Sequence, residues 1–274
     1  MKKIFLLLST AFLFIVACDK VEPFEDGTYK TKPDVEIGGD SIASVILFEF
    51  TGWDCVNCPN AHEKIKELEE NYSEIIHSIG IHAGNFADPG DFGPDFRCEV
   101  SNALYELMNP DGFPIGSVNS MNGADLKGSG YWSTFINVAH KESRDNPEVF
   151  ITIEESNTDS TITAKVNVEF AKSLSGNYNL SVYVVENGIE APQNKNGTII
   201  NNYIHSHVLR ASMHNGIVGE LVGENPTNGT KFECKYTLNV DSEWVADSLH
   251  LIPFVYNTET NIVIPTKIVK PKTE

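Results

Sequence analysis

Basic residues are scarce in this chain. Its 274 residues include 20 Lys and Arg against 38 Asp and Glu, which gives a formal net charge of −18. Electrostatic binding of nucleic acids needs a basic footprint, so the composition argues against a nucleic-acid partner. The same acidity argues against a polybasic contact with a membrane surface.

Long apolar runs are lacking after the first residues. The segment from Ile4 to Val16 is shorter than the roughly 20 apolar residues that a membrane-spanning helix needs. Two lysines precede it, as at the start of a secretory signal peptide. It ends in Ala17-Cys18, which resembles the lipobox of bacterial lipoproteins. We therefore expect residues 1–18 to be a lipoprotein signal peptide and Cys18 to carry the lipid. An ordinary signal peptide with a chance cysteine is the alternative.

Residues 19–40 contain many acidic residues, two prolines and Gly38-Gly39, with almost no apolar periodicity. This composition predicts an acidic tether rather than a packed element. An exported chain with a lipid anchor belongs to the cell envelope. We expect an outer membrane lipoprotein, and both the periplasmic and the surface face of that membrane stay open.

Cysteines are few, with five in the whole chain. If Cys18 carries lipid, four remain, and four cysteines allow three pairings. Cys55 and Cys58 are close in sequence, and export favours a disulfide between them. Cys98 and Cys234 lie in different halves of the chain. They either bridge the two halves or are two buried thiols.

The Cys55-Val56-Asn57-Cys58 motif lies between a strand pattern and a helix pattern. The apolar run Val45 to Phe50 precedes it, helical spacing follows over residues 60–73, and a second strand pattern covers residues 74–82. This order predicts two parallel strands joined by a helix. A helix N-terminus stabilises a thiolate, so we expect Cys55 to be the attacking thiol and Cys58 the resolving thiol.

The segment from Phe48 to Pro59 resembles the active-site segment of thioredoxin-like proteins. Gly112-Phe113-Pro114 resembles the loop that carries a cis-proline in that fold. The resemblance implies a cis bond before Pro114 and a substrate-docking role for Phe113 and Pro114. Asp54 departs from the pattern, because a carboxylate before Cys55 disfavours the thiolate.

A zinc site is the alternative use of the same motif. Cys55, Cys58, His62 and His82 have plausible ligand spacing. His62, however, is expected on the solvated face of the helix, and His82 ends a strand. We therefore predict no metal and no cofactor.

The second half of the chain changes to an alternating apolar pattern. Seven strand patterns separated by turns predict a β-sandwich of immunoglobulin-like kind over residues 147–274. The predicted fold class is an α/β thioredoxin-like domain at 41–146 followed by an all-β immunoglobulin-like sandwich. Residues 203–210 are predicted to form one strand with His205, His207 and Leu209 on one face. The two histidines are expected to be exposed or at an interface rather than metal ligands.

These motifs together resemble the family of 28-kDa outer-membrane-protein-related lipoproteins. The resemblance rests on the lipobox, the segment around Cys55 and Cys58, the Gly-Phe-Pro loop and the segment His205 to Arg210. It implies either of two functions. One is thiol–disulfide exchange by Cys55 and Cys58 with envelope proteins that carry thiols or disulfides. The other is non-enzymatic, adhesin-like binding with a structural disulfide.

Overall fold

The computed structural model describes residues 16–20, 41–72, 74–214 and 216–269, with the backbone alone for 16–20. The expected signal peptide, the tether and the side chain of Cys18 lie outside this description. Three α-helices are present in the described ranges, and they are α1 (Cys58–Asn71), α2 (Glu99–Met108) and α3 (Trp132–Asp145). The strands are β1 (Val16–Lys20), β2 (Ser41–Thr51), β3 (Ile76–His82), β4 (Ile115–Val118), β5 (Val149–Asn157), β6 (Thr161–Phe170), β7 (Asn177–Glu186), β8 (Ile189–Lys195), β9 (Thr198–His205), β10 (Val208–Ser212), β11 (Glu220–Glu224), β12 (Lys231–Asn239), β13 (Leu249–Asn257) and β14 (Thr266–Val269).

Twelve of these strands form one mixed sheet, and β8 and β9 form a separate two-stranded sheet. The order along the large sheet is β1-β12-β6-β5-β14-β2-β3-β10-β7-β11, with β13 paired to β7 and β4 paired to β2. Strand β2 pairs in parallel with β3, and α1 connects the two. The parallel strand–helix–strand unit predicted from the sequence is therefore confirmed.

The predicted fold class is wrong, because strands from both halves of the chain share one sheet. The first residues of β2 pair antiparallel with β14, which lies near the C-terminal end. Strand β3 pairs in parallel with β10 at Gly80 and Val208. A thioredoxin-like domain followed by a separate immunoglobulin-like sandwich does not describe this arrangement. Alternation shows which side chains face a core but does not show which strands are neighbours, and this is where the prediction failed. The boundary at residue 147 between independently folding units stays a prediction.

Three clusters of buried apolar side chains fill the molecule. The largest joins side chains of β5, β6 and β12 to those of β7, β11 and β13. A second packs α2 against β2, β3 and β13. A third packs α1 and α3 against the opposite face of β2, around Trp132. Strand β2 is thus buried on both faces, as its apolar run without strict alternation predicts. Within the described ranges, none of the helices has the length and apolar character needed to cross a membrane.

Candidate functional site

Cys55 and Cys58 form a disulfide at the start of α1, with their Cα atoms 5.4 Å apart. The helix begins at Cys58, and Pro59 occupies its first turn, where the missing N–H costs no helical hydrogen bond. The predicted disulfide is confirmed. Both cysteines are buried, with exposed fractions of 2% for Cys55 and 0% for Cys58.

The β8–β9 hairpin lies over the turn that carries the disulfide. The backbone N–H of Asn194 donates to the carbonyl of Trp53 at 2.7 Å, and that of Asn196 donates to the carbonyl of Val56 at 3.1 Å. The side-chain amide of Gln193 donates to the carbonyl of Cys55 at 3.3 Å. Gln193 is itself fully buried. The hairpin therefore supplies hydrogen-bond donors to three backbone carbonyls of the turn that carries the disulfide.

Side chains at the tip of the hairpin add polar contacts to the same region. The amide of Asn194 donates to a carboxylate oxygen of Asp54 at 2.9 Å. Lys195 forms an ion pair with Glu63 of α1 at 2.7 Å, between partly exposed side chains. Exposed pairs of this kind contribute little, so the buried amide and backbone contacts carry most of the attachment.

The loop after β3 covers the turn from another direction. The backbone N–H of Asp54 donates to the carbonyl of Phe86 at 3.0 Å. The indole N–H of Trp53 donates to the carbonyl of Asp88 at 2.6 Å. A Cβ atom at Gly52 would lie 2.3 Å from the carbonyl oxygen of Phe86, so this approach requires glycine. The disulfide is thus enclosed by the hairpin and by this loop.

The peptide bond between Phe113 and Pro114 is cis, as predicted. The Phe113 ring stacks on Phe50 with a centroid distance of 6.0 Å and lies 5.4 Å from the Phe86 ring. Phe113 therefore belongs to an aromatic group that also includes the covering loop. The catalytic roles of Cys55 and Cys58 and the docking roles of Phe113 and Pro114 stay predictions.

A buried carboxyl group lies on β2 beside α1. Glu49 is 3% exposed, and burial raises its pKa to about 8. One of its oxygens lies 3.4 Å from Nε2 of His62. Burial, together with repulsion from other histidines, lowers the pKa of His62 to about 3. At neutral pH both groups are therefore uncharged, and this contact is not an ion pair.

His62 links the body of the protein to the hairpin. Its Nε2 lies 2.8 Å from the hydroxyl of Thr51, and its Nδ1 lies 2.8 Å from the hydroxyl of Tyr203 on β9. Its side chain is 20% exposed. The expectation of a solvated helix face was therefore wrong, because the hairpin covers this part of α1.

Two further histidines meet under the hairpin. The rings of His82 and His205 lie 5.9 Å apart, and both contact Phe96 with centroid distances of 5.0 Å. Nε2 of His205 donates to the carbonyl of Pro192 at 3.3 Å. Burial lowers the pKa of His205 to about 4 and lowers that of His82 well below its usual value.

The single strand predicted over residues 203–210 was wrong. Strand β9 ends at His205, and β10 begins at Val208. Between them, His207 has a φ of +60°, which breaks the alternation on which the shared face depended. His205 is consequently buried rather than exposed, whereas His207 is partly exposed and lies 3.1 Å from Glu69.

The disulfide and the thiol of Cys98 bear on the alternatives that the sequence left open. The disulfide occupies both sulfurs that the zinc alternative required. Over the part of the chain that the structure describes, no group of three or more His, Cys, Asp or Glu side chains is arranged to hold a metal ion. Cys98 is a free thiol at the start of α2, so it forms no bridge with Cys234.

The sequence reasoning missed Glu49 and Gln193. Glu49 interrupts an apolar run that was expected to be buried on both faces, and that position was itself a signal of a buried carboxyl group. Gln193 lies in a polar segment without alternation, and no local pattern identifies it.

Comparison with known proteins identifies the family. Residues 101–274, more than half of the chain, match the family described as Outer membrane protein Omp28. The chain belongs to the Omp28 family. Membership in the Omp28 family places the protein in the outer membrane of the cell envelope, in agreement with the resemblance found in the sequence.

One solved structure shares the fold of the Omp28 chain. HBP35 of Porphyromonas gingivalis matches it with a TM-score of 0.63 and 19% sequence identity, over 83% of this chain and 74% of that one. At this identity the likeness shows the fold alone. A protein from Agrobacterium tumefaciens matches with a TM-score of 0.45 and 12% identity, over 86% of this chain and 98% of its own. No curated protein matches the chain.

Proposed function

We propose that this Omp28-family protein is a non-enzymatic binding protein of the outer membrane, in which the Cys55–Cys58 disulfide is a structural crosslink. The observation that carries this proposal is the enclosure of both cysteines beneath the hairpin and the loop after β3. Thiol–disulfide exchange requires a thiolate to reach a disulfide sulfur, and a buried disulfide prevents that approach.

The crosslink fixes a turn on which two other segments rest. The loop after β3 packs against Gly52 and Trp53. The hairpin donates hydrogen bonds to the carbonyls of Trp53, Cys55 and Val56. A turn held in one conformation presents these carbonyls together. The disulfide therefore stabilises the protein by holding the turn in the conformation against which the hairpin and the loop pack.

Replacing both cysteines by alanine should destabilise the protein by about 2 kcal/mol, the chain-entropy value for so short a loop. Urea denaturation of the double variant and of the oxidised wild type measures this difference. Cys98→Ser is the matched control, because it removes a thiol and leaves the disulfide intact.

In a test-disulfide reduction assay, the wild type and Cys55→Ser should both stay at the background rate. Turnover by the wild type that is absent in Cys55→Ser would contradict the structural role.

Thiol–disulfide exchange is the second candidate, and the position of Cys55 just before the α1 N-terminus favours it. A partner thiolate would attack Sγ of Cys55 and displace the Cys58 thiolate. A second partner thiol would then release the dithiol and leave the partner oxidised. This reaction requires the hairpin to move. Cys58→Ser used as bait in envelope extracts distinguishes the candidates. Mixed disulfides support exchange, whereas partners retained under reductant support non-covalent binding.

We further propose that a lipid on Cys18 anchors the protein to the membrane. The lipobox residues and membership in an outer membrane protein family support this anchor. Cys18→Ser should abolish incorporation of labelled fatty acid in cells and should release the protein from the membrane fraction. Cys98→Ser should retain both the label and the membrane association. A Cys18→Ser protein that still carries the label would contradict the anchor.

A further inference from the structure

The β8–β9 hairpin is held in place by contacts with the body rather than by the large sheet. Within the described residues, its two strands pair only with each other. A two-stranded hairpin alone is marginally stable in water. Its ends are marked by backbone turns, with a φ of +76° at Gly188 and +60° at His207. The position of the hairpin over the Cys55–Cys58 turn, here called the closed form, therefore depends on the side chains beneath it.

Three imidazoles occupy the contact between β9 and the body. His62 of α1 contacts the Tyr203 hydroxyl, and His82 of β3 contacts the His205 ring. The histidines also repel one another when charged, which adds to burial in lowering the pKa of His62 and of His82. Closure therefore requires these three groups to be uncharged.

The surrounding charges do not favour protonated imidazoles. Glu49 is protonated at neutral and acidic pH, because its pKa is about 8. Arg210 of β10 adds positive charge that disfavours protonation of His82 and His205. Two carboxylates on the packed elements already pair with charged side chains, Glu63 with Lys195 and Glu186 with Arg210, and Glu69 lies 3.1 Å from His207. Protonation of the cluster is thus opposed by burial and by like charge in the closed form.

We propose that the β8–β9 hairpin is a cap that acid releases from the Cys55–Cys58 disulfide. Opening places the imidazoles in water, where they bind protons near pH 6.5. Each imidazole has a lower pKa in the closed form than in the open form. The closed form is therefore favoured fully above about pH 6.5, and this preference is lost as the pH falls. Each imidazole raises the opening equilibrium by up to about tenfold per pH unit, and three give up to about a thousandfold. This regulation goes beyond the structural role of the disulfide, and its failure would leave that role intact.

The test measures how fast tris(2-carboxyethyl)phosphine reduces the disulfide of the purified wild-type protein at pH 7, 6 and 5. Each rate is divided by that of an unstructured peptide containing Cys-Val-Asn-Cys at the same pH. The relative rate should rise at least a hundredfold from pH 7 to pH 5. Hydrogen exchange in β6 and β12 should stay slow over this range, because these strands report on global unfolding. A relative rate that stays constant, or that rises only when β6 and β12 lose protection, would overturn the proposal.

Two matched variants test whether His205 is one of the groups that bind a proton when the hairpin opens. His205→Gln retains a donor for the Pro192 carbonyl and removes one titrating group, so the rise in relative rate from pH 7 to pH 5 should be about twentyfold smaller than in the wild type. His250→Gln changes an exposed histidine on β13 and should follow the wild type. Equal pH dependence in His205→Gln and the wild type would contradict the assignment. If His205→Gln does not fold, the wild-type rates and exchange data still decide the proposal.

Discussion

Between pH 5 and pH 8, the unfolding free energy of the wild type should fall by about 3.5 kcal/mol relative to that of Glu49→Gln. Burial raises the pKa of Glu49 to about 8 in the folded protein, against 4.5 as its ordinary value. The folded state therefore holds a proton that the unfolded state has released over most of this range. Stability from this group is complete below about pH 4.5 and is lost as the pH rises toward 8.

Urea denaturation at pH 5, 6, 7 and 8 measures this difference for the two proteins. The buried histidines titrate in both, so their effect largely cancels in the comparison. Glu70→Gln is the matched control, because Glu70 lies exposed on α1 and its substitution should leave the wild-type pH dependence unchanged. A difference between the wild type and Glu49→Gln that does not vary with pH would show that Glu49 ionises normally in the folded state.

Arg210→Met should destabilise the protein by about 3–5 kcal/mol, the usual cost of leaving a buried charge without its partner. Nε of Arg210 lies 2.7 Å from Oε2 of Glu186, and Glu186 is only 2% exposed. The other oxygen of Glu186 accepts the backbone N–H of Val245 at 2.9 Å. Removing the guanidinium therefore leaves a buried carboxylate whose remaining contact, among those of the described residues, is the backbone N–H of Val245.

A double variant separates the buried charge from lost packing. Glu186→Gln combined with Arg210→Met should recover much of the loss, because a neutral amide replaces the carboxylate. Part of the loss should remain, since the Arg210 guanidinium also lies 5.1 Å from the centre of the Phe96 ring. Arg144→Met removes a partner from an exposed pair with Asp145 and should change stability little. Equal losses in the single and double variants would assign the effect to packing alone.

The local structure of this chain was predictable because its signals are local. The apolar run of β2, the cysteine spacing and Pro59 together predict a strand, a disulfide and a helix start within 15 residues. The cis bond before Pro114 followed from a resemblance rather than from the residues themselves. The strand patterns of the second half predicted strands but carried no information about their partners. The pairing of β2 with β14 joins residues more than 200 positions apart, and no local pattern encodes it.

The candidate site was predictable only in its cysteines. Their enclosure depends on β8 and on the loop after β3, which reach residues 52–56 from distant parts of the chain. Gln193 and Tyr203 therefore gave no signal of their contacts. The turn at His207 reversed the expected exposure of His205, because a single positive φ ends the alternation of a strand.

The long strand β2 has a practical consequence for anyone who wishes to express part of this protein. Its first residues pair with β14, and its neighbour β3 pairs with β10. A fragment that stops at residue 146 lacks both partners, so the first residues of β2 and the outer edge of β3 lose their paired strands, although β4 still pairs with residues 47–50 of β2. Such open edges invite aggregation. Useful shortened versions will need to retain the C-terminal strand as well as the cysteine motif.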